Sequence, residues 1–460
     1  MSHLLSFTMN TKVNRQRLEE ILAIQNHWWL TNKVKKEKTG DFERFILPEI
    51  YRKTGGEKIV SIIGPRRTGK TILLHQLIQK LLDNGVDAKH ICYLSCDNPN
   101  ILGDNLLDEI MDISSNLTGR PIEDLETPLF VFLDEIHKLD TWGEQVKHWH
   151  DLGLKIKFVV SGSSALRILK GSGESLLGRI DHTILLQLSF REFLSVKYGL
   201  TIKPSGFETN EIKKNYYNLI TSRHKIQLAF KEYLHKGGYP ATITKNIDET
   251  FQMLLEYKDL SVHRDIFEIE EIRDTKTLNE LVYLLASLIG SRVSYNKIGG
   301  LILSRVNTIK KYISLIEDIY LIKESVVYDK PYSSRKQQRK IFFTDTGIVN
   351  ALNRNYDLKN IPELVENAVA SLVYRKILES EINPTQYYRI ETEEVDVIMC
   401  IRDEIIPIEV KYRETPSDIK GLYKFMEKFS VKKGIVVTKD LFKEDGNITY
   451  IPAWLFMLCV

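Results

Sequence analysis

The sequence predicts an α/β protein: a parallel sheet flanked by helices, then a helical segment, a helix-turn-helix with a hairpin, and a C-terminal α/β region. Three observations carry this. From Lys58 to Leu188, short β-branched or aromatic runs ("IVSII", "ICYLS", "LFVFLD", "KFVVS", "ILLQL") alternate with helical segments, the pattern of a parallel sheet with helical crossovers. Between the first run and the helix after it stands "GPRRTGKT". Near the C-terminus "EEVDVIMCIRDEIIPIEVKY", starting at Glu393, sets two strand-like runs around a short polar turn.

Composition sets the bounds. At 460 residues the chain has room for roughly three domains. The hydrophobic share of 43% and charged share of 27% suit an ordinary globular protein, and a net charge of +3 confines any nucleic-acid surface to a local patch. No apolar run approaches the roughly 18 residues of a membrane span; "IPAWLFMLCV" is the longest and suits a terminal element packed on a core. The N-terminal stretch lacks the features of a secretory signal, so a cytoplasmic protein without a membrane role is expected. Cys92, Cys96, Cys400 and Cys459 have no metal-site spacing and are expected as reduced thiols.

In chain order, residues 1–45 are expected to form an N-terminal helical arm, with Trp28 and Trp29 as packing anchors rather than a binding platform. Residues 46–194 hold the parallel-sheet core. Residues 195–290 are expected to be mainly helical, interrupted where Gly237, Gly238 and Pro240 end a helix. Over 291–346 a short helix, a turn near Gly299 and Gly300, a second helix and two strands, "KESVVYD" and "KIFFTD", give the outline of a winged helix. Residues 347–460 contain an amphipathic helix, the hairpin quoted above, another helix and the strand "KGIVVTK".

The chemistry begins at the glycine-rich loop. Gly64, Pro65, Arg66, Arg67, Thr68, Gly69, Lys70 and Thr71 fit G-x-x-x-x-G-K-[ST] between a strand and a helix. Loop amides and the helix start then face one point, where phosphate oxygens find donors and a favourable dipole. On this reading the ligands are ATP and Mg²⁺, with Lys70 on the β- and γ-phosphates and Thr71 on the metal. "LFVFLDE" ends in Asp134 and Glu135 at the sheet's C-terminal edge, which suits Asp134 to Mg²⁺ and Glu135 to polarising a water. Ser161 and Ser163 follow the next strand, as γ-phosphate readers or as turn and cap residues. Arg179 suits charge neutralisation in trans, or a surface salt bridge.

With these pieces the chain resembles the AAA+ ATPases, more narrowly the archaeal and bacterial group that joins such a module to a winged helix and a nuclease-like domain. "GPRRTGKT", "FVFLDEIHKLDTW", "VVSGSS", "LLGRI", "LSFREF", "GGYP", "KIFFTDTG" and "IEVK" carry the likeness. It implies a core in strand order 5-1-4-3-2, residues 195–290 as a lid, Ser161 or Ser163 as sensor and Arg179 as arginine finger.

Residues 301–345 hold nine Lys or Arg against five Asp or Glu. Arg305, Lys310 and Lys311 fall on the second helix of the winged-helix outline, and Arg335, Lys336, Arg339 and Lys340 between its strands, as DNA contacts or as a solvated face of a protein-docking element. In the C-terminal hairpin, a two-residue turn at Arg402 and Asp403 sets Ile401 opposite Glu404 and Asp396 opposite Glu409, with Lys411 on the same face. Glu366 flanks the apolar stripe of the preceding helix. This D…E-x-K arrangement resembles the PD-(D/E)XK nuclease core, which implies Mg²⁺ at Asp396 and Glu409, help from Glu366, and Lys411 on the nucleophilic water. "EEVD" lacks the usual proline, and no downstream glutamine is evident, so an inherited fold without cleavage stays open. The expected function is an ATPase whose nucleotide state moves the later domains on DNA or a protein partner, as an oligomer. The rivals are an ATP-controlled nuclease and a switch that hardly hydrolyses.

Overall fold

The computed structural model describes residues 13–98, 101, 103–163, 176, 178–328, 338–380, 386–390, 393–401, 404–416 and 418–460. They divide into two compact units, one lying within residues 13–64 and 69–185 and the other within 65–68 and 186–460.

The first unit is built on five parallel strands: β1 (Ile59–Ile63), β2 (Ile91–Ser95), β3 (Leu129–Asp134), β4 (Ile156–Gly162) and β5 (Ile180–Ile184). Their order is β2-β3-β4-β1-β5, or 5-1-4-3-2 from the other edge. Every residue of β1 and β3 is buried, as strands covered on both faces require. The helix Lys70–Asp83 places Leu73, Leu74, Leu77, Ile78, Leu81 and Leu82 against this sheet's core at helical spacing. The fifth strand begins four residues before the expected "ILLQL". As an edge strand paired with β1 alone it keeps most of its side chains half-exposed, and the apolar run that attracts the eye begins only where the strand ends.

The N-terminal arm has a definite task. Edge strand β2 presents unpaired backbone groups. The helix Arg15–Gln25 and the residues after it cover them with side chains: Asn26 donates to Tyr93 O at 2.7 Å and accepts from Tyr93 N at 2.6 Å. Both Trp28 and Trp29 donate their indole N–H to Ile91 O, at 3.1 and 2.8 Å. The tryptophans are thus packing anchors.

In the second unit nine strands form one sheet. They are β6 (Arg292–Val293), β7 (Ile322–Val327), β8 (Arg339–Phe343), β9 (Gln386–Ile390), β10 (Glu393–Ile401), β11 (Glu404–Lys411), β12 (Gly434–Thr438), β13 (Lys443–Asp445) and β14 (Ile448–Pro452), in order β13-β14-β12-β11-β10-β9-β7-β8-β6. The hairpin strands of residues 291–346 therefore continue into those of 347–460, joined where β7 pairs in parallel with β9. Gly299 and Gly300 lie within the helix Tyr295–Leu301, and the expected turn falls after it. Gly299 is needed there because a Cβ would stand 2.7 Å from Ser304 O. The next helix is Val306–Asp318.

"KGGYP" and "FTDTG" meet inside this unit. Asp345 caps the helix Thr346–Leu352, accepting from Ile348 N at 3.0 Å, and its other oxygen accepts from Gly238 N at 2.7 Å. Burial pushes this carboxyl up to about 6, against the pull of those amides. Its folded value exceeds the unfolded one, so it adds stability below the ordinary aspartate range that is lost as pH rises toward 6. Chemical denaturation of the wild type and Asp345→Asn should show a wild-type advantage greatest near pH ~4 and smaller near pH ~7. An advantage that grows with pH contradicts this assignment.

Candidate functional site

The loop after β1 is shaped by two glycines. Gly64 has φ +148°, and a Cβ there would collide with the Leu185 carbonyl. Gly69, φ +95°, starts the helix Lys70–Asp83 in a conformation that disfavours side chains. The Lys70 ammonium, only 5% exposed, donates to Gly64 O at 2.9 Å across the loop. Thr71 Oγ1 donates to Asp134 Oδ2 at 2.7 Å. That hydroxyl–carboxylate pair, beside a buried amine and a helix start, fits a phosphate-bound divalent cation.

Asp134 gathers more partners. Its Oδ2 also accepts from the Tyr93 hydroxyl at 3.0 Å, and its Oδ1 accepts from Ser161 Oγ. Burial, then the charge of Asp134, raises the Tyr93 phenol, which keeps it a donor. Tyr93 was not evident in the sequence, since it reaches Asp134 across paired strands; a lone tyrosine in an aliphatic strand beside the acidic one is the signal that could have shown it. Glu135 has φ +53°, a strained value for a residue with a side chain. Its amide donates to Ser161 Oγ at 3.3 Å, and its carboxylate stands 3.5 Å from His137 Nδ1. Ser163 is buried.

Arg179 is placed differently. Its guanidinium grips Asp151 at two points, 2.7 and 3.1 Å, and by that hydrogen bond holds the carboxyl below its ordinary range. Of the loop-tip residues, which group with the second unit, Thr68 Oγ1 donates to Pro65 O at 3.0 Å, Arg66 Nε donates to Asp265 Oδ1 at 2.7 Å, and Arg67 lies 5.7 Å from the Tyr257 ring.

A second constellation lies in the nine-stranded sheet. The hairpin pairs Ile401 with Glu404 and Val397 with Ile408, the register counted from a two-residue turn; Arg402 and Asp403 themselves lie outside the described residues. Asp396 sits where the β10–β9 pairing slips, at a bulge, and its Oδ2 accepts from Val410 N at 2.9 Å. Its Oδ1 accepts from Lys340 at 2.9 Å; the same ammonium donates to Glu366 Oε1 at 2.7 Å and also pairs with Glu394. Burial and then Asp396 push Glu366 up to about 7 and Glu409 up to about 8. Asp396 is held low despite its burial, chiefly by Lys340. Glu409 pairs with Lys411. Among the described residues no group of three or more His, Cys, Asp or Glu is disposed to hold a metal ion, so the Mg²⁺ site implied for Asp396, Glu409 and Glu366 does not fit this arrangement.

The basic residues divide. Arg305, Lys310 and Lys311 are exposed, with Lys310 over the Tyr295 ring at 5.5 Å and Lys311 paired to Glu270. Arg335 and Lys336 lie outside the described residues. Arg339 and Lys340 are not loop residues but belong to β8, which corrects their placement between the strands. Arg339 stacks on Tyr295 at 4.4 Å and pairs with Glu324 at 3.2 Å, while Lys340 is 6% exposed. Buried carboxylates claim both charges.

Comparison with known proteins agrees with the first site. Residues 56–194 match the family model described as AAA domain; residues 227–359 and 363–456 match two domains of unknown function, DUF8612 and DUF4143. A Haemophilus influenzae protein named "Uncharacterized protein" is 24% identical over 88% of this chain and 95% of its own length. "Uncharacterized protein MJ1544" of Methanocaldococcus jannaschii is 30% identical over 58% of this chain and 56% of its own length. Among solved structures, the Walker-type ATPase paby2304 of Pyrococcus abyssi aligns at 12% identity and TM-score 0.40 over 70% of this chain and 98% of its own. A DNA replication initiation factor aligns at 16% and TM-score 0.24, over 59% and 86%. No helix among the described residues is long and apolar enough to cross a membrane. Over residues 56–194 the match and the loop geometry agree on an AAA-type P-loop ATPase domain.

Proposed function

We propose that the chain binds ATP with Mg²⁺ at the loop from Gly64 to Thr71 and hydrolyses it. Lys70 and the loop amides grip the β- and γ-phosphates, Thr71 and Asp134 hold the metal, and Glu135 orients the water with Ser161 or Ser163 sensing the γ-phosphate. Held there, Mg²⁺ would supply charge neutralisation at the phosphates. The Thr71–Asp134–Ser161 network supports this reading most directly, because it joins residues from three elements around one carboxylate at the helix start. Arg179, released from Asp151, would serve a neighbouring copy in a homo-oligomer. Residues 195–290 act as a lid, 291–346 as a winged helix and 347–460 as a nuclease-like domain that does not cut. Nucleotide state is passed to these parts and to a DNA or protein partner through the exposed Arg305 and Lys310.

Glu135→Gln tests the hydrolytic role. Loss of the carboxylate should lower phosphate release by about 10²–10⁴-fold while nucleotide still binds in calorimetry. Turnover unchanged in this variant would remove Glu135 from the mechanism. Asp396→Ala is expected to leave turnover intact.

A further inference from the structure

We propose that Tyr93 is a positioning residue for the cation at the phosphate loop: its hydroxyl fixes the Asp134 carboxylate, so that the Thr71 hydroxyl sharing the same oxygen is held for the ion. This inference rests on the reading of that loop as a site for ATP with Mg²⁺, and it adds a residue from a strand to which that reading assigns nothing.

In β2 it is Ser95 that stands opposite Asp134, with Tyr93 two residues earlier opposite Phe132. Side chains alternate along a strand, so Tyr93 and Ser95 share a face. Two residues span roughly 6.6 Å of strand, a diagonal that only a long side chain crosses. The phenol is 3% exposed, and its hydroxyl donates to Asp134 Oδ2 at 3.0 Å. An ionised carboxylate offers about four lone-pair sites. Here they are taken by Thr71 Oγ1 and Tyr93 on Oδ2, and by Ser161 Oγ and the Glu135 amide, the latter at 3.1 Å, on Oδ1. Thr71, Ser161 and Glu135 are already assigned to the metal, the phosphates or the water; Tyr93 is the remaining donor. A buried phenol needs an acceptor, and packing alone would be served by any one. Tyr93 is instead held at every point. Asn26 takes both its amide and its carbonyl, the His75 ring lies 4.6 Å from its own, and Trp28 packs edge-on at 6.4 Å. His75 leads back to the loop, for its Nδ1 lies 2.8 Å from Thr71 O and must be the donor, since a carbonyl can only accept. One rigid ring thus braces the carboxylate through its hydroxyl and the Thr71 backbone through His75. Partners that orient the ligands of a metal in this way carry part of its affinity.

The test measures uptake of ATP by the full chain in calorimetry, with Mg²⁺ and, in parallel, with Ca²⁺. Mg²⁺ demands near-ideal octahedral geometry, whereas Ca²⁺ accepts irregular coordination. Tyr93→Phe keeps the ring and drops only the hydroxyl. It should weaken uptake with Mg²⁺ by about tenfold, the lower end for a lost orienting partner, and with Ca²⁺ by no more than about threefold. Equal losses with the two ions are what a packing defect gives, and they overturn the proposal, as does undiminished uptake with Mg²⁺. A wild type that takes up no nucleotide with either ion overturns the reading of the loop as well. Should Tyr93→Phe lose its cooperative melt, a fluorine on the Tyr93 ring of the otherwise native chain decides: its resonance should shift when Mg²⁺ is added to the ATP-bound protein, and an unmoved resonance overturns the proposal.

Discussion

Lys70→Ala is expected to lower ATP turnover by about 10²–10³-fold, the effect of removing one fixed donor from a developing phosphoryl charge. The ammonium is already desolvated, 5% exposed, and held on Gly64 O at 2.9 Å, so its position is set before any phosphate arrives. Methyl substitution removes the charge and leaves the Gly64 carbonyl facing the phosphates alone, so binding should weaken together with turnover. Steady-state phosphate release and calorimetric titration with ATP and Mg²⁺ separate the two effects. Turnover within about threefold of wild type would place hydrolysis elsewhere in the chain. Lys70→Arg should not rescue, because a planar guanidinium cannot occupy the space of a compact ammonium beneath the loop.

The loop was legible because its chemistry is local. Gly64, Gly69, Lys70 and Thr71 lie within eight residues, and turn geometry, helix start and charge follow from their order. Asp134 was legible for a related reason, since an apolar strand delivers its last side chain to a known edge of the sheet. Contacts between strands were harder. Tyr93 reaches Asp134 over 41 residues of sequence, and only its standing as a lone tyrosine in "ICYLS" marks its phenol off from ordinary core packing. The hairpin register at Ile401 and Glu404 was countable, because a short turn fixes pairing on both sides. Lys340 was not. Counted as one of nine basic residues it suggests a solvated face, whereas its partners Glu366 and Asp396 lie 26 and 56 residues away. Charge tallies weigh every lysine alike, and burial by distant acids reverses the meaning of this one.

Gly347→Ala should destabilise the second unit by about 3 kcal/mol, the upper part of the range for an added methyl in a packed core. The cause is backbone meeting backbone: a Cβ at Gly347 would stand 2.5 Å from Lys236 C and 2.8 Å from Gly237 N, and neither can rotate away. That close approach exists because the helix Thr346–Leu352, buried along its whole length, caps the end of the helix Arg223–Lys236. Helix ends leave carbonyls without intrahelical partners. Here Asn350 Nδ2 donates to Leu234 O at 2.8 Å and His235 O at 3.0 Å, and Thr346 Oγ1 donates to Tyr233 O at 3.3 Å. Pushing the helix back by a methyl lengthens all of these together, and also Asp345's hold on Gly238, so the loss exceeds that of one contact. Gly300→Ala supplies the contrast: its Cβ meets nothing within 4 Å, so the same substitution in another helix should be neutral or stabilise by a few tenths of a kcal/mol. Urea unfolding of both variants decides the matter, and a Gly347→Ala midpoint no lower than that of Gly300→Ala would mean that the junction of the two helices yields where the packing says it cannot.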